Sequence, residues 1–301
     1  MLNGIHFLLT YNCNYECDHC FLYCGPNAEG TFTLKNIKQI LDEAEKLGSI
    51  EWIYFEGGEP YLYYPLMLES VRLATEKGYK TGIVSNGYWG TSVEDAELWL
   101  KPLAKLGLAN LGLSEDVFHY GDEKNTPARA AYLAAKKLNI PVDKYCIEMP
   151  EVISEGKNTQ DKGAPVIGGN VLFKGRAVEK LTKDLPKRSW LEFTECPHEE
   201  LVKPQRVHID PFGWVHICQG LCMGKCFKTP LSEMVRNYDA KKHPICKYLI
   251  DGGPARLVKE YNVEHEDKYV DECHLCFLAR KNLLDKFPDY LAPHQVYGLS
   301  E

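Results

Sequence analysis

Cys13-Asn-Tyr-Glu-Cys17-Asp-His-Cys20 is the stretch that decides the fold of this 301-residue chain. C-x3-C-x2-C on a loop offers three thiolates to one metal cluster. Three cysteines on a [4Fe-4S] cube leave one iron without a protein ligand, and an open iron binds and reacts where a closed electron-transfer cluster does not. The plainer alternatives are a group of spare thiols and a zinc site, although zinc calls for four closed ligands in paired C-x2-C spacing.

Working outward, residues 4 to 10 (Gly-Ile-His-Phe-Leu-Leu-Thr) read as a buried strand that runs straight into the cysteine loop. A second apolar strand, Glu51-Trp-Ile-Tyr-Phe-Glu56, ends in Gly57-Gly58-Glu59-Pro60, where two glycines let another group approach the backbone closely. An ordinary strand-to-helix turn would account for Gly-Gly alone. The cysteine loop after the first strand and G-G-E-P after the second together resemble the radical S-adenosylmethionine (SAM) superfamily.

That resemblance implies a mechanism with assignable parts. In the family, the open iron of the cluster on Cys13, Cys17 and Cys20 chelates the methionine end of SAM. One electron splits the sulfonium, and the 5'-deoxyadenosyl radical abstracts a hydrogen from substrate. The resemblance places His19 beside the adenine, and gives Gly57, Gly58, Glu59 and Pro60 the methionine amino group. It implies two cofactors, SAM and its [4Fe-4S] cluster, and a flavodoxin- or ferredoxin-type electron donor.

Composition agrees with an enzyme and excludes other classes. A chain of this length with 45% hydrophobic residues buries a substantial core, in one large domain plus a smaller one. Nothing resembles a signal peptide or a membrane span, so no membrane partner is expected. Twelve cysteines without a secretion signal point to metal ligands in a reducing, cytoplasmic setting. The formal charge of -7 gives no support for nucleic-acid binding.

Strands and helices alternate at the spacing of a parallel sheet. Thr33 caps a helix with Leu34, Ile37, Ile40, Leu41, Ala44 and Leu47 on one face, closed by Gly48. A helix near 64–77 leads to a strand at 80–85, and Ser92 caps another before Gly107. Further strands fit 108–114, 142–149 and 169–174, with a helix from Thr126 to Leu138 between. The expected fold is α/β: a partial (β/α)6 TIM-like barrel over residues 1–185, with chemistry at the C-terminal strand ends.

Polar residues at those ends are the next candidates. Ser85-Asn86 ends the third strand, and Ser114-Glu-Asp116 ends the fourth; both resemble family positions that contact SAM, and both also read as helix caps. His119 is the acid-base candidate, because imidazole titrates near neutral pH, with a core or surface histidine as the plainer reading. Arg176 follows a glycine at the expected sixth strand end, where its planar fork reaches a cofactor or substrate carboxylate or ties the barrel to the next domain. Arg129 lies on a helix face expected to be solvated.

Cysteine then concentrates in residues 186–285. Arg206 to Asp210 and Trp214 to Cys218 alternate around Pro211-Phe-Gly213 and read as a β-hairpin. A cysteine, G-x4-C on a hairpin and a distant C-x2-C resemble the twitch or SPASM auxiliary-cluster extension, here a small cysteine-rich hairpin/helix domain. By that resemblance Cys196, Cys218, Cys273 and Cys276 hold at least one auxiliary [4Fe-4S] cluster, with a zinc ribbon as the alternative. Cys222, Cys226 and Cys246 are left for a second cluster or for replacing an assigned ligand, and Cys24 and Cys146 read as small buried residues. Residues 286–301 are a tail, either an ordered strap or frayed.

An electron-accepting cluster implies a radical SAM oxidoreductase or maturase that oxidises or cross-links a peptide side chain. The alternatives are a dehydrogenase or rearrangement enzyme of a small metabolite and a non-catalytic iron-sulfur carrier. No winged-helix segment precedes the first strand, so a peptide is expected to be recognised by the barrel or by a separate partner.

Overall fold

The computed structural model describes residues 2–154 and 166–299. The expected alternation is present: β1 (Gly4–Thr10), α1 (Leu34–Leu47), β2 (Trp52–Gly57), α2 (Tyr64–Glu76), β3 (Lys80–Ser85), α3 (Val93–Lys105), β4 (Asn110–Ser114), a one-turn α4 (Val117–Tyr120), α5 (Pro127–Lys137) and β5 (Val142–Tyr145). Local chemistry sets the helix ends. Thr33 accepts the Asn36 N–H to cap α1, and Gly48 closes it in the left-handed region at φ 68°. Ser92 and Thr126 cap α3 and α5 in the same way.

Beyond Tyr145 the chain continues through β6 (Val152–Ser154), β7 (Val166–Ile167), α6 (Arg176–Lys180) and β8 (Arg188–Ser189). It then forms β9 (Arg206–Ile209), β10 (Trp214–Cys218), β11 (Leu221–Lys225), α7 (Leu231–Asn237), α8 (Cys246–Tyr261), β12 (Lys268–Tyr269) and α9 (Glu272–Lys281). The main sheet runs β11-β10-β9-β1-β2-β3-β4-β5. β1 to β5 pair in parallel, β9 joins the other edge of β1 in parallel, and the expected hairpin brings β10 back antiparallel. Six parallel strands therefore exist, as a partial barrel requires, but the sixth is not the expected one. Residues 169–174 form no strand, because Gly169 and Asn170 take φ of 92° and 60°, left-handed conformations that end extended pairing. The fifth strand also stops at Tyr145 rather than at 149, and Cys146 just beyond it is exposed, whereas Cys24 is buried as expected.

Two compact units result, one of residues 1–16, 24–146 and 203–238, the other of 17–23, 147–202 and 239–301. In the first, one sheet face sends Ile5, Phe7, Leu9, Ile53, Phe55, Ile83, Leu111, Leu113, Val207 and Ile209 into the core with Ile37, Ile40 and Leu41 of α1. Each such burial contributes about 1.5–3 kcal/mol. Strand alternation puts His6, Tyr54, Glu56 and His208 on the opposite face. Glycines on β3 and β4 make room there: a Cβ at Gly82 would lie 2.2 Å from the Tyr54 ring, and one at Gly112 2.2 Å from the Tyr145 ring.

The second unit holds the antiparallel pairs β6–β7 and β8–β12 with α6, α8 and α9. The tail is an ordered strap. Val296 and Tyr297 are fully buried, the Tyr297 ring stacks on Phe277 at 5.3 Å, and Gln295 donates to the Leu22 and Tyr23 carbonyls.

Candidate active site

At the C-terminal ends of β1, β2 and β3, the two glycines face the cysteine loop itself. Gly58 N–H donates to Thr10 O at 2.7 Å and Glu59 N–H to Asn12 O at 2.9 Å. A Cβ at Gly58 would lie 2.0 Å from Asn12 O, so only glycine lets the two strand ends close this tightly. Glu59 is fully buried and accepts from Tyr61 N–H, Ser85 Oγ–H and Asn86 N–H, at 3.0, 2.9 and 2.7 Å. Burial pushes its carboxyl up to about 7 despite those bonds. Pro60 opens the short helical turn that Glu59 caps, and Ser85 Oγ also accepts from Gly87 N–H and Trp89 Nε1–H. Glu59 and Ser85 thus tie the end of β2 to the end of β3.

The sulfur of Cys13 lies in the same unit. Tyr15 N–H approaches it at 3.4 Å and the Asn86 side-chain amide at 3.8 Å, while Asn86 Nδ2 also donates to Asn14 Oδ1 at 2.9 Å. N–H groups directed at a cysteine sulfur favour its thiolate and tune a cluster bound to it, so this donor set fits an iron-sulfur cluster. Cys17, His19 and Cys20 belong to the second unit. There Cys20 N–H donates to Cys17 O at 3.0 Å, and the Gly175-Arg176 turn clamps the loop: Arg176 N–H donates to Cys20 O at 2.9 Å and Arg176 Nη1 to Cys17 O at 2.7 Å. A Cβ at Gly175 would lie 2.4 Å from Phe21 Cα, which explains glycine at φ 63°. His19 and Arg176 are half-buried.

After β4, Asp116 caps α4 by accepting from the Phe118 and His119 N–H groups, and its Oδ1 lies 2.7 Å from His119 Nδ1. Tyr15 stacks edge-on against both His119 and Tyr120, whose hydroxyl donates to Asn86 O. Ser114 is half-buried at the strand end. Arg129 is exposed, as expected.

The later cysteines divide between the units. Cys218 ends β10 in the first; Cys196, Cys273 and Cys276 lie in the second, with Cys273 and Cys276 one turn apart at the start of α9, where Asp271 caps. Cys226 packs in the hydrophobic core of the first unit, and burial pushes its thiol up to about 12. In the absence of a metal, such burial disfavours the thiolate. Cys222 is buried with its Sγ 3.5 Å from His216 Nδ1, and Cys246 is buried at the start of α8.

Two groupings escaped the sequence reading. Tyr11 donates to Asp210 at 2.9 Å, with both side chains fully buried. His6, Glu56 and His208 meet on the sheet face opposite the helices, with His6 Nδ1 at 3.3 Å and His208 Nε2 at 3.0 Å from the same Glu56 oxygen. The signal was present in Ile-His-Phe, Phe-Glu-Gly and Val-His-Ile, single polar residues alternating with apolar ones, but strand adjacency was not.

A six-strand parallel sheet with an N–H-lined cysteine just beyond its first strand is the arrangement expected of an iron-sulfur, SAM-binding class of domain. The model of the Radical SAM superfamily, a family that uses SAM and a [4Fe-4S] cluster, matches residues 7–146 of the chain. The chain is 35% identical over 114 residues (38% of this chain, 30% of the relative) to the tungsten-containing aldehyde ferredoxin oxidoreductase cofactor-modifying protein of Pyrococcus furiosus. It is 28% identical over 111 residues (37% and 35%) to the "Putative peptide biosynthesis protein YydG" of Bacillus subtilis. It thus spans about a third of the length of these curated relatives. The fold is similar to BtrN crystallised with AdoMet and 2-DOIA, at TM-score 0.52 and 17% identity over 79% of this chain and 83% of that one. Among the described residues no helix is long and apolar enough to cross a membrane.

Proposed function

We propose that the protein is a radical SAM oxidoreductase or maturase that oxidises or cross-links a peptide side chain. Cys13, Cys17 and Cys20 would hold the [4Fe-4S] cluster at which SAM binds, and with one electron from a flavodoxin- or ferredoxin-type donor the pair would supply radical hydrogen abstraction from substrate. The residues of the chain hold and orient. Gly57 to Pro60, Ser85 and Asn86 fix the strand ends around the Cys13 sulfur; His19, Ser114, Asp116 and Arg176 complete the SAM contacts. His119, whose Nδ1 lies 2.7 Å from Asp116 Oδ1, is the acid-base group. The observation that carries the reading is the Cys13 sulfur, held under two N–H groups where the Gly57-Gly58 turn closes on its loop.

Cys196, Cys218, Cys273 and Cys276 would hold one closed auxiliary cluster, which would supply an electron acceptor for a net oxidation. The burial of Cys226 in the core speaks against a second one built on Cys222, Cys226 and Cys246. Similarity to a peptide biosynthesis protein supports a peptide substrate, and similarity to a cofactor-modifying protein supports a small-molecule one as the second reading. The test is anaerobic reconstitution with SAM and dithionite. Release of 5'-deoxyadenosine, abolished in Cys17→Ala, is expected; full iron binding with SAM left intact points instead to a non-catalytic carrier. A loss of two hydrogens from a peptide encoded beside the gene, read by mass spectrometry, separates the substrate classes.

A further inference from the structure

We propose that His6, Glu56 and His208 form a mononuclear binding site for a divalent transition-metal ion, built without a cysteine ligand. The three side chains come from three adjacent parallel strands. His6 and His208 are direct partners in the β1–β9 register, and Glu56 lies diagonally across β2, two residues beyond the partner of His6, Tyr54. All point away from the helices, since the residues flanking them, Ile5, Phe7, Phe55, Val207 and Ile209, fill the core.

The spacing is that of ligands around one ion. Donors held at about 2.0–2.1 Å from a metal stand about 3.0–3.4 Å apart, in octahedral or tetrahedral geometry respectively. His6 Nδ1 and His208 Nε2 lie 3.3 and 3.0 Å from Glu56 Oε1, and all three ligand atoms fall within 4.8 Å of one another.

Both imidazoles turn a ring nitrogen to the same carboxylate oxygen, so the three donor atoms converge on one point.

Two imidazoles and one carboxylate suit zinc or ferrous iron and leave positions open for an outside oxygen or nitrogen ligand. The His6 and Glu56 side chains are 19% and 18% exposed, so an ion can reach them. The ring of Tyr54, stacked on His6 at 4.7 Å, fixes the imidazole plane.

Zinc alone is the probe. Full-length protein is reconstituted anaerobically with iron and sulfide, equilibrated with a small excess of zinc chloride and passed over chelating resin; metals are then counted per chain and the zinc absorption edge is recorded. The expected result is about one zinc per chain in the wild type, with nitrogen and oxygen scatterers at about 2.0–2.2 Å and iron unchanged. His208→Ala and Glu56→Gln should bind zinc at least about tenfold more weakly, since loss even of an outer-shell partner costs that much. Three results overturn the site: no retained zinc in the wild type, sulfur scatterers at about 2.3 Å, or equal retention in both variants. If a variant fails to fold, the wild-type spectrum decides.

Discussion

Gly58→Ala tests how the cysteine loop is held. The new Cβ would lie 2.0 Å from Asn12 O and 2.6 Å from Asn12 C, backbone atoms that no side-chain rotation can clear. Reaching even 3.0 Å requires a displacement of about 1 Å, and that stretches the Gly58 to Thr10 and Glu59 to Asn12 hydrogen bonds, now 2.7 and 2.9 Å, beyond bonding distance. Two buried backbone bonds at about 1 kcal/mol each, plus overpacking at about 1–3 kcal/mol, give a loss of about 3–5 kcal/mol. Because Asn12 precedes Cys13, iron retention should fall with stability. The assay is equilibrium urea unfolding followed by circular dichroism, with iron counted per chain, beside Gly78→Ala. That control has a φ of 88° and no atom within 4 Å, so it should cost only about 1–2 kcal/mol of left-handed strain. The reasoning fails if Gly58→Ala unfolds no more easily than the control and keeps its iron.

Three further outcomes are expected. The Glu59 carboxyl is raised from 4.5 to about 7 by burial, so the stability it contributes is fully present below pH 4.5 and is lost as pH rises through 7, by on the order of 3 kcal/mol. The stability difference between wild type and Glu59→Gln should therefore fall across that window in pH-dependent urea titrations; a flat difference contradicts it. Cys226→Ala should leave iron per chain unchanged, because its side chain packs in the hydrophobic core, whereas Cys276→Ala should lose about one cluster of iron; equal losses would place Cys226 among the ligands. Tyr11→Phe removes a donor from a fully buried carboxylate and should lower stability by about 1–3 kcal/mol in thermal unfolding, while an unchanged transition would show the Tyr11–Asp210 bond to be dispensable.

Much of the barrel was legible because its signals are local. Thr33 and Ser92 cap the helices they were expected to cap, and the strands at 4–10, 52–57 and 80–85 follow from apolar runs bounded by glycine or polar residues. The sixth strand was misplaced because Val171-Leu-Phe173 reads as strand by composition, while the left-handed Gly169 and Asn170 before it are invisible to periodicity. The hairpin at 206–218 was legible as a hairpin, but not as the edge that completes the parallel sheet, since pairing across about 200 residues leaves no local trace.

The sequence by itself carried the class of chemistry: Cys13, Cys17 and Cys20 with Gly57-Gly58 bear the resemblance that implies the cofactors, because motif and spacing are properties of the chain. The tertiary structure alone decided what each residue touches. Gly58 answers to the Asn12 carbonyl, Glu59 to the end of β3, Arg176 to the Cys17 carbonyl, and His6 to Glu56 and His208. Those partners stand far apart in sequence and meet only because strand register brings them into contact.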